Sequence, residues 1–375
     1  MYVYADESGH SGRHIFNDPP IYYQGAIISA RDVEPTLNPI LEACKSRLGA
    51  ARIHANEIAP QVVGALSIEV MTALDHLGPW RFHVTALEKQ YLVATKFVDT
   101  IFDSGENAGA RWLWYNFEAL RHALVILFDD LLTRPEKEAF WRAYLDDNAE
   151  GLIGLAGAML TRLDGTRMDR RLRQVAADGL EAFIRAPEQV TLLAGATRSS
   201  YKRHSPNFVA FTSLVLAANE FCRTHGLTPE QFCHDQQSEF GPTLRAHHGM
   251  FHALDHIDRG NGLPPHVERA DRPQGRFDLP ASKDYLPLQA VDCLLWLHQR
   301  AANPALAAAQ EMLASRTDEY RIARSMSELI VRTWFARLEN VDMSPEKWAK
   351  ARETIGELEK RHRTGMAALR QPKDT

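Results

Sequence analysis

The first twelve residues, MYVYADESGHSG, constrain the fold more than any other stretch of the chain. Tyr2, Val3 and Tyr4 are strong β-formers, the run is too short for a core helix, and Gly9 and Gly12 follow it. That pattern predicts a buried strand ending in a turn, with Asp6 and Glu7 delivered at its tip into an acidic site suited to a divalent metal. Residues 21–28 (IYYQGAII) form a natural antiparallel partner, and Asn17-Asp18-Pro19-Pro20 supplies the turn chemistry between them. Apolar spacing turns helical over 33–48 and again over 61–77, then residues 80–87 (WRFHVTAL) return to strand. The opening therefore reads ββααβ.

Beyond residue 107 the pattern is mostly helical as far as 225, which marks an inserted helical region. A helix is signalled after Ser205-Pro206, with Gly226 as its stop, and the strand-like Gln231-Phe232-Cys233-His234 then runs into Asp235. The segment 258–287 is dense in Gly, Pro, Asp and Arg, and 288–301 (LQAVDCLLWLHQRA) reads as a helix followed by two more. The expected organisation is a core from 1–107 and 226–301, a helical insertion at 108–225, and a C-terminal helical extension at 302–375.

Composition narrows the function classes. Apolar residues at 45% and charged residues at 24% are those of a soluble globular protein rather than a disordered one. No signal-like leader opens the chain and no apolar run approaches the ~20 residues needed to span a bilayer, so a cytoplasmic protein without a membrane partner is expected. The four cysteines (Cys44, Cys222, Cys233, Cys293) form no CxxC pair and read as buried thiols. A formal charge of −5 excludes a protein that coats nucleic acid by overall basicity, so any such contact must use local patches. Two runs offer them: 166–173 (TRMDRRLR) and 198–204 (RSSYKRH). Each also reads as ordinary solvated surface.

Four carboxylates stand out, each with a plainer alternative. Asp6 sits where an apolar strand meets a glycine-rich turn, a place that serves a rigid ligand or a turn cap equally well. Glu57 lies three residues after His54, on the same face if the segment is helical, or simply at an exposed helix start. Asp235 repeats the geometry of Asp6 at a second strand tip, with His234 before it and Glu239 after it. Asp292 is embedded among Leu288, Val291, Leu294, Leu295 and Trp296. A charge there must pair with a base, shift its pKa or meet a cation, and Gln289 shares its face.

The stretch Tyr4-Ala5-Asp6-Glu7-Ser8-Gly9, the pair His54 and Glu57, and Ser282 followed by Leu288-Gln289-Ala290-Val291-Asp292 resemble the signature of a bacterial and phage family called domain of unknown function 3800, placed among ribonuclease H-like folds. The likeness spans about residues 1–300 apart from the helical insertion; Val291 stands before Asp292 where the family commonly has Ala, and the large insertion is a second departure. The resemblance implies an α/β fold, a ribonuclease H-like mixed sheet flanked by helices, in which Asp6, Glu57, Asp235 and Asp292 meet at one site. It also implies company with phage defence or mobile-element processing.

Clustered carboxylates repel one another unless a cation neutralises them, and oxygen-only ligands favour Mg²⁺ or Mn²⁺. Two such ions roughly 3.5–4 Å apart support in-line phosphodiester displacement, so hydrolysis of DNA or RNA is expected. Within that reading Asp6 bridges, Glu57, Asp235 and Asp292 are further ligands, Glu7 and Glu239 stand in reserve, and His54 assists proton transfer. Ser282, Lys283, Lys202 and Arg203 are expected to contact phosphate. Two other readings compete. His248, His252 and His256 recur every four residues and form a zinc-capable face if helical, although Gly249 stands where a zinc hydrolase carries Glu. Alternatively the core is a non-catalytic ribonuclease H-like scaffold that binds nucleic acid or protein, and the helical insertion docks a guide strand, a partner protein or a second copy.

Overall fold

The computed structural model describes residues 1–104, 107, 109–190, 206–236, 241, 242, 244, 245, 248, 254–257, 267–269, 275–338, 341 and 344–370. These divide into two compact units. One holds residues 1–89 with the described parts of 202–258 and 266–321; the other holds the described parts of 90–201 and 322–375.

The first unit opens with β1 (Tyr2–Ser8), β2 (Ile21–Ser29), α1 (Glu34–Leu48), α2 (Pro60–Leu77) and β3 (Trp80–Glu88), the ββααβ order that apolar periodicity predicts. The helical run that follows comprises α3 (Lys89–Phe102), α4 (Trp112–Asn116), α5 (Glu118–Leu131), α6 (Arg134–Leu145), α7 (Ala149–Asp164) and α8 (Arg170–Arg185). After it come α9 (Pro206–His225), β4 (Gln231–His234), β5 (Leu254–Ile257), β6 (Val267–Arg269) and β7 (Arg276–Asp278). The chain closes with α10 (Leu286–Gln299), α11 (Ala307–Ala314), β8 (Thr317–Ile322), α12 (Arg324–Leu338) and α13 (Pro345–Arg370).

Six strands form one mixed sheet in the order β7-β4-β1-β2-β3-β8, while β5 and β6 pair separately. β1 runs antiparallel to β2 and β2 antiparallel to β3, whereas β4 lies parallel to β1 and β7 parallel to β4. Side chains alternate across the strands, so the sheet carries two cores. Tyr4, Ile27, Phe82, Val84 and Cys233 pack on one face with apolar residues of α1, α2, α10 and α11. Val3, Ala5, Ala26, Ile28 and Phe232 pack on the other with Phe211, Leu214, Ala218 and Phe221 of α9. Gly25 faces the first core, and a Cβ there would sit 2.9 Å from Phe82 Cζ and 3.0 Å from Leu295 Cδ1. The missing side chain lets α10 approach the sheet closely.

Three expectations shift. α9 covers a sheet face instead of belonging to the helical insertion, because its Phe211, Leu214 and Phe221 find apolar partners there. The segment 302–321 adds α11 and the strand β8 to the sheet unit, where an all-helical extension is expected. β8 reads TDEYRI and lies mostly exposed at the sheet edge, so it lacks the alternation that marks a half-buried strand. The helical grouping also begins with α3, ahead of residue 108. The four cysteines are free and buried. Among the described residues no helix is long and apolar enough to cross a membrane.

Candidate functional site

The parallel pairing of β1 with β4 sets Ala5 opposite His234, and Asp235 N donates to Ala5 O at 2.9 Å. The register therefore places Asp6 and Asp235 on neighbouring strands, Asp235 just past the end of β4 and Asp6 within β1, which continues to Ser8 beyond the expected tip. Alternation from Tyr4 and Cys233, both in the α10-side core, puts the two side chains on that face. Asp235 is held there: its Oδ1 accepts the Ser282 backbone N–H at 2.7 Å. Asp6 Oδ1 accepts the Glu7 N–H at 2.8 Å.

α10 brings the third carboxylate. Its apolar residues are buried from Leu288 through Leu297, and a polar stripe of Gln289, Asp292, Trp296 and Arg300 follows the helical spacing along one edge. Residues 53–56 lie along that stripe. Gln289 Oε1 accepts from Ile53 N at 2.8 Å, and its Nε2 donates to Ser282 O at 2.9 Å and Lys283 O at 3.2 Å. Asp292 Oδ2 accepts from Ala55 N at 2.8 Å and lies 3.0 Å from His54 Nδ1. Asn56 Oδ1 takes the Trp296 indole N–H at 3.0 Å and Arg300 at 3.1 Å, while the Arg300 guanidinium stacks 4.3 Å above the Trp296 ring. Asp292 thus escapes the cost of a buried lone charge through a histidine and a backbone N–H rather than an arginine.

Electrostatics tie the three acids together. Burial, then the charges of Asp235 and Asp292, push the Asp6 carboxyl well above its ordinary value, against the smaller opposing pull of the Glu7 N–H. Such a shift reports carboxylates close enough to oppose one another's ionisation.

The site differs from the expected one at several residues. Glu57 stays outside it: the segment folds as a 3-10 turn over Ala55–Glu57, which sends His54 to Asp292 and leaves Glu57 exposed in an ion pair with Arg52 at 2.8 Å. Glu7 alternates onto the opposite, α9-side face of the sheet and cannot serve as a reserve ligand beside Asp6. There its Oε2 lies 3.3 Å from His234 Nε2, and Gln24 Nε2 lies 3.0 Å from that same nitrogen. Burial, then the charges of Asp6 and Asp235, raise the Glu7 carboxyl well above its usual range, while burial lowers the pKa of His234. Neither Glu7 oxygen finds a hydrogen-bond donor.

Ser282 engages Asp235 through its backbone N–H, not its hydroxyl. Lys283 is exposed, 4.0 Å from Asp284. Glu239, Lys202, Arg203 and the run 198–204 lie outside the described residues. His248 packs its ring between Phe232 and Phe277, at 4.8 and 4.9 Å, and Leu254–Ile257 is a strand. The helical face that would join His248 to His256 therefore does not form, and His252 lies outside the described residues. Among the described residues no group of three or more His, Cys, Asp or Glu side chains is arranged ready to hold a metal ion.

The sequence left Gln289 as a mere neighbour of Asp292 and passed over Asn56; the i, i+3, i+7, i+11 spacing of polar heads on an otherwise apolar helix is the signal that finds the docking stripe. Comparison with protein-family profiles, curated proteins and solved structures finds no match to this chain.

Proposed function

We propose that this chain is a metal-dependent phosphodiester hydrolase acting on DNA or RNA, built on a ribonuclease H-like core of the kind the domain of unknown function 3800 signature implies. The sheet supports the fold reading: three antiparallel strands in the order β3-β2-β1, continued by two strands parallel to β1. One observation carries the function: Asp6 within β1, Asp235 at the end of β4 and Asp292 on α10 face one another closely enough that the latter two oppose ionisation of Asp6. An all-oxygen donor set of this kind fits Mg²⁺ or Mn²⁺ rather than zinc.

When bound by Asp6, Asp235 and Asp292, such ions supply the charge that activates a water and stabilises the leaving oxygen of an in-line displacement. The chain's own residues do the rest. Ser282 N–H and Asp6's neighbour Glu7 N–H hold their carboxylates in place. His54, with its Nδ1 turned to Asp292, keeps Nε2 for taking or giving a proton at the partly open rim. Gln289 fixes the two segments that carry His54 and Ser282.

A non-catalytic nucleic-acid-binding scaffold is the second reading. It is favoured by the loss of Glu57 from the cluster and the absence of a ready-made group of three among the described residues. The test is incubation of the full chain with Mg²⁺ or Mn²⁺ and single- or double-stranded DNA and RNA. Cleavage abolished by Asp6→Asn is the expected result. No cleavage of any form, together with no heat of Mn²⁺ binding that Asp6→Asn removes, overturns the hydrolase reading in favour of the scaffold.

A further inference from the structure

We infer that the outward face at the start of α8 binds the sugar–phosphate backbone of nucleic acid through Arg167, Arg170 and Arg171. The choice of nucleic acid among polyanions rests on the hydrolase reading; the surface itself rests on geometry within the helical unit.

α8 buries Ala176, Gly179, Leu180 and Phe183 along one side, which fixes the opposite side toward solvent. Arg170 and Arg171 are exposed on the first turn, and Arg167 is exposed on the approach to it. Arg167 precedes the helix in the segment that leads to its cap, and Arg170 and Arg171 are the first two residues of the helix itself. The Arg173 guanidinium donates to the Thr166 carbonyl and so ties the segment carrying Arg167 to the helix. The acid between them is engaged elsewhere: Asp169 Oδ1 accepts the Arg171 and Leu172 N–H groups at 2.9 and 3.0 Å as the helix cap.

Several arginines elsewhere in this unit have carboxylate partners, while others settle on carbonyls or rings, as Arg142 does on the Glu138 carbonyl and Arg121 on the Tyr115 ring. Arg162 grips Glu136 with two nitrogens, at 2.9 and 2.7 Å, Arg324 meets Asp129, Asp130 and Glu328, and Arg185 meets Glu181. Among the described residues none lies within ion-pair distance of Arg167, Arg170 or Arg171; Arg171 reaches only the Gln174 amide, at 2.9 Å. Stability does not account for this placement, since cations at a helix N-terminus oppose the helix dipole and one another. A polyanion does account for it. Guanidinium forks match phosphate oxygens, and the chain's net charge of −5 leaves backbone contact to a local patch like this one.

Salt dependence tests the assignment, because each phosphate neutralised adds about 0.9 to the slope of log K against log salt on duplex DNA. Fluorescence anisotropy would follow labelled DNA and RNA, single- and double-stranded, in EDTA so that no cleavage intervenes. Changing the three arginines to Glu together is expected to lower the slope by roughly 2 to 3 and weaken binding at least about tenfold near 0.1 M salt. The milder Arg170→Gln/Arg171→Gln pair, which leaves Arg167 and the cap in place, is expected to lower the slope by about 1 to 2 with an unchanged melting temperature. Wild-type slope and affinity in both folded variants overturn the inference, as does a wild-type chain that binds none of the probes. Cleavage is scored separately: loss of arginine-dependent binding with cleavage retained removes this surface alone. Arginine-dependent binding without Asp6-dependent cleavage removes the hydrolase and keeps the surface.

Discussion

Asp6 and Glu7 are adjacent in sequence, yet the pleat sends them to opposite faces of the sheet and into opposite situations. Asp6 opens toward Asp235 and Asp292, a partly accessible cluster whose like charges oppose its ionisation. Glu7 is enclosed with Gln24, His234 and the ring of Phe211 on the α9 side, without a donor to either oxygen. Both carboxyls are pushed up chiefly by burial, but only the first has like charges on its own face. A raised pKa therefore marks a candidate ligand only when geometry shows what the charge is shared with.

The contrast breaks if the two residues behave alike. On the hydrolase reading, Asp6→Asn should lower the rate of cleavage by roughly a hundredfold or more, since metal-borne charge stabilisation is worth several kcal/mol and each ~1.4 kcal/mol is tenfold. Glu7→Gln should leave that rate within about threefold when measured on the same substrate; a loss equal to that of Asp6→Asn would put Glu7 back in the site. Asp292 offers an internal check. Asp292→Asn keeps an acceptor for the Ala55 N–H and should cost activity with little stability, whereas Asp292→Ala also strands that N–H and should lower unfolding free energy by about 1–3 kcal/mol. Urea denaturation separates the two.

The pH dependence sharpens the difference between faces. Glu7 binds its proton more tightly folded than unfolded, so the stability it contributes is present in acid. That contribution falls as pH rises above about 4.3, the unfolded value, toward the folded one. His122, pushed down to about 4 by burial, and His234 and His298, also lowered chiefly by burial, act in the other direction below about 6.5. The informative quantity is therefore the stability of Glu7→Gln relative to wild type, which should grow from pH 5 to pH 8 in the urea midpoint. A difference that stays flat across that range means Glu7 ionises normally. The smallest effect belongs to Glu57. Glu57→Gln removes only an exposed ion pair and should change stability by no more than about 0.5 kcal/mol and cleavage by less than about twofold.

Much of the fold was legible because burial leaves a period behind. β1, β2, α1, α2, β3 and the α10 helix all carry it, and Asp292 was conspicuous as a charge among leucines. β8 was not, since an exposed edge strand has no apolar face to advertise. The placement of Glu7 could have been read from strand alternation alone, with Val3 and Ala5 sharing its parity. That of Glu57 could not: whether Arg52, five residues earlier, or the acidic cluster claims it depends on a 3-10 turn that no periodicity encodes. The extended Leu254–Ile257 strand likewise competes with a histidine spacing that looks helical on paper.

Gly25 stands opposite Asp6 in the β1–β2 register, and it is the residue on which α10 rests through Leu295. The separation between a carboxylate on a strand and one on a helix is then governed by a residue that carries no chemistry. A methyl group at position 25 would act as a shim, crowding Phe82 Cζ at 2.9 Å and Leu295 Cδ1 at 3.0 Å and so pressing on the helix that carries Asp292 without touching either acid. Position 25 is a ruler, and its useful length is zero.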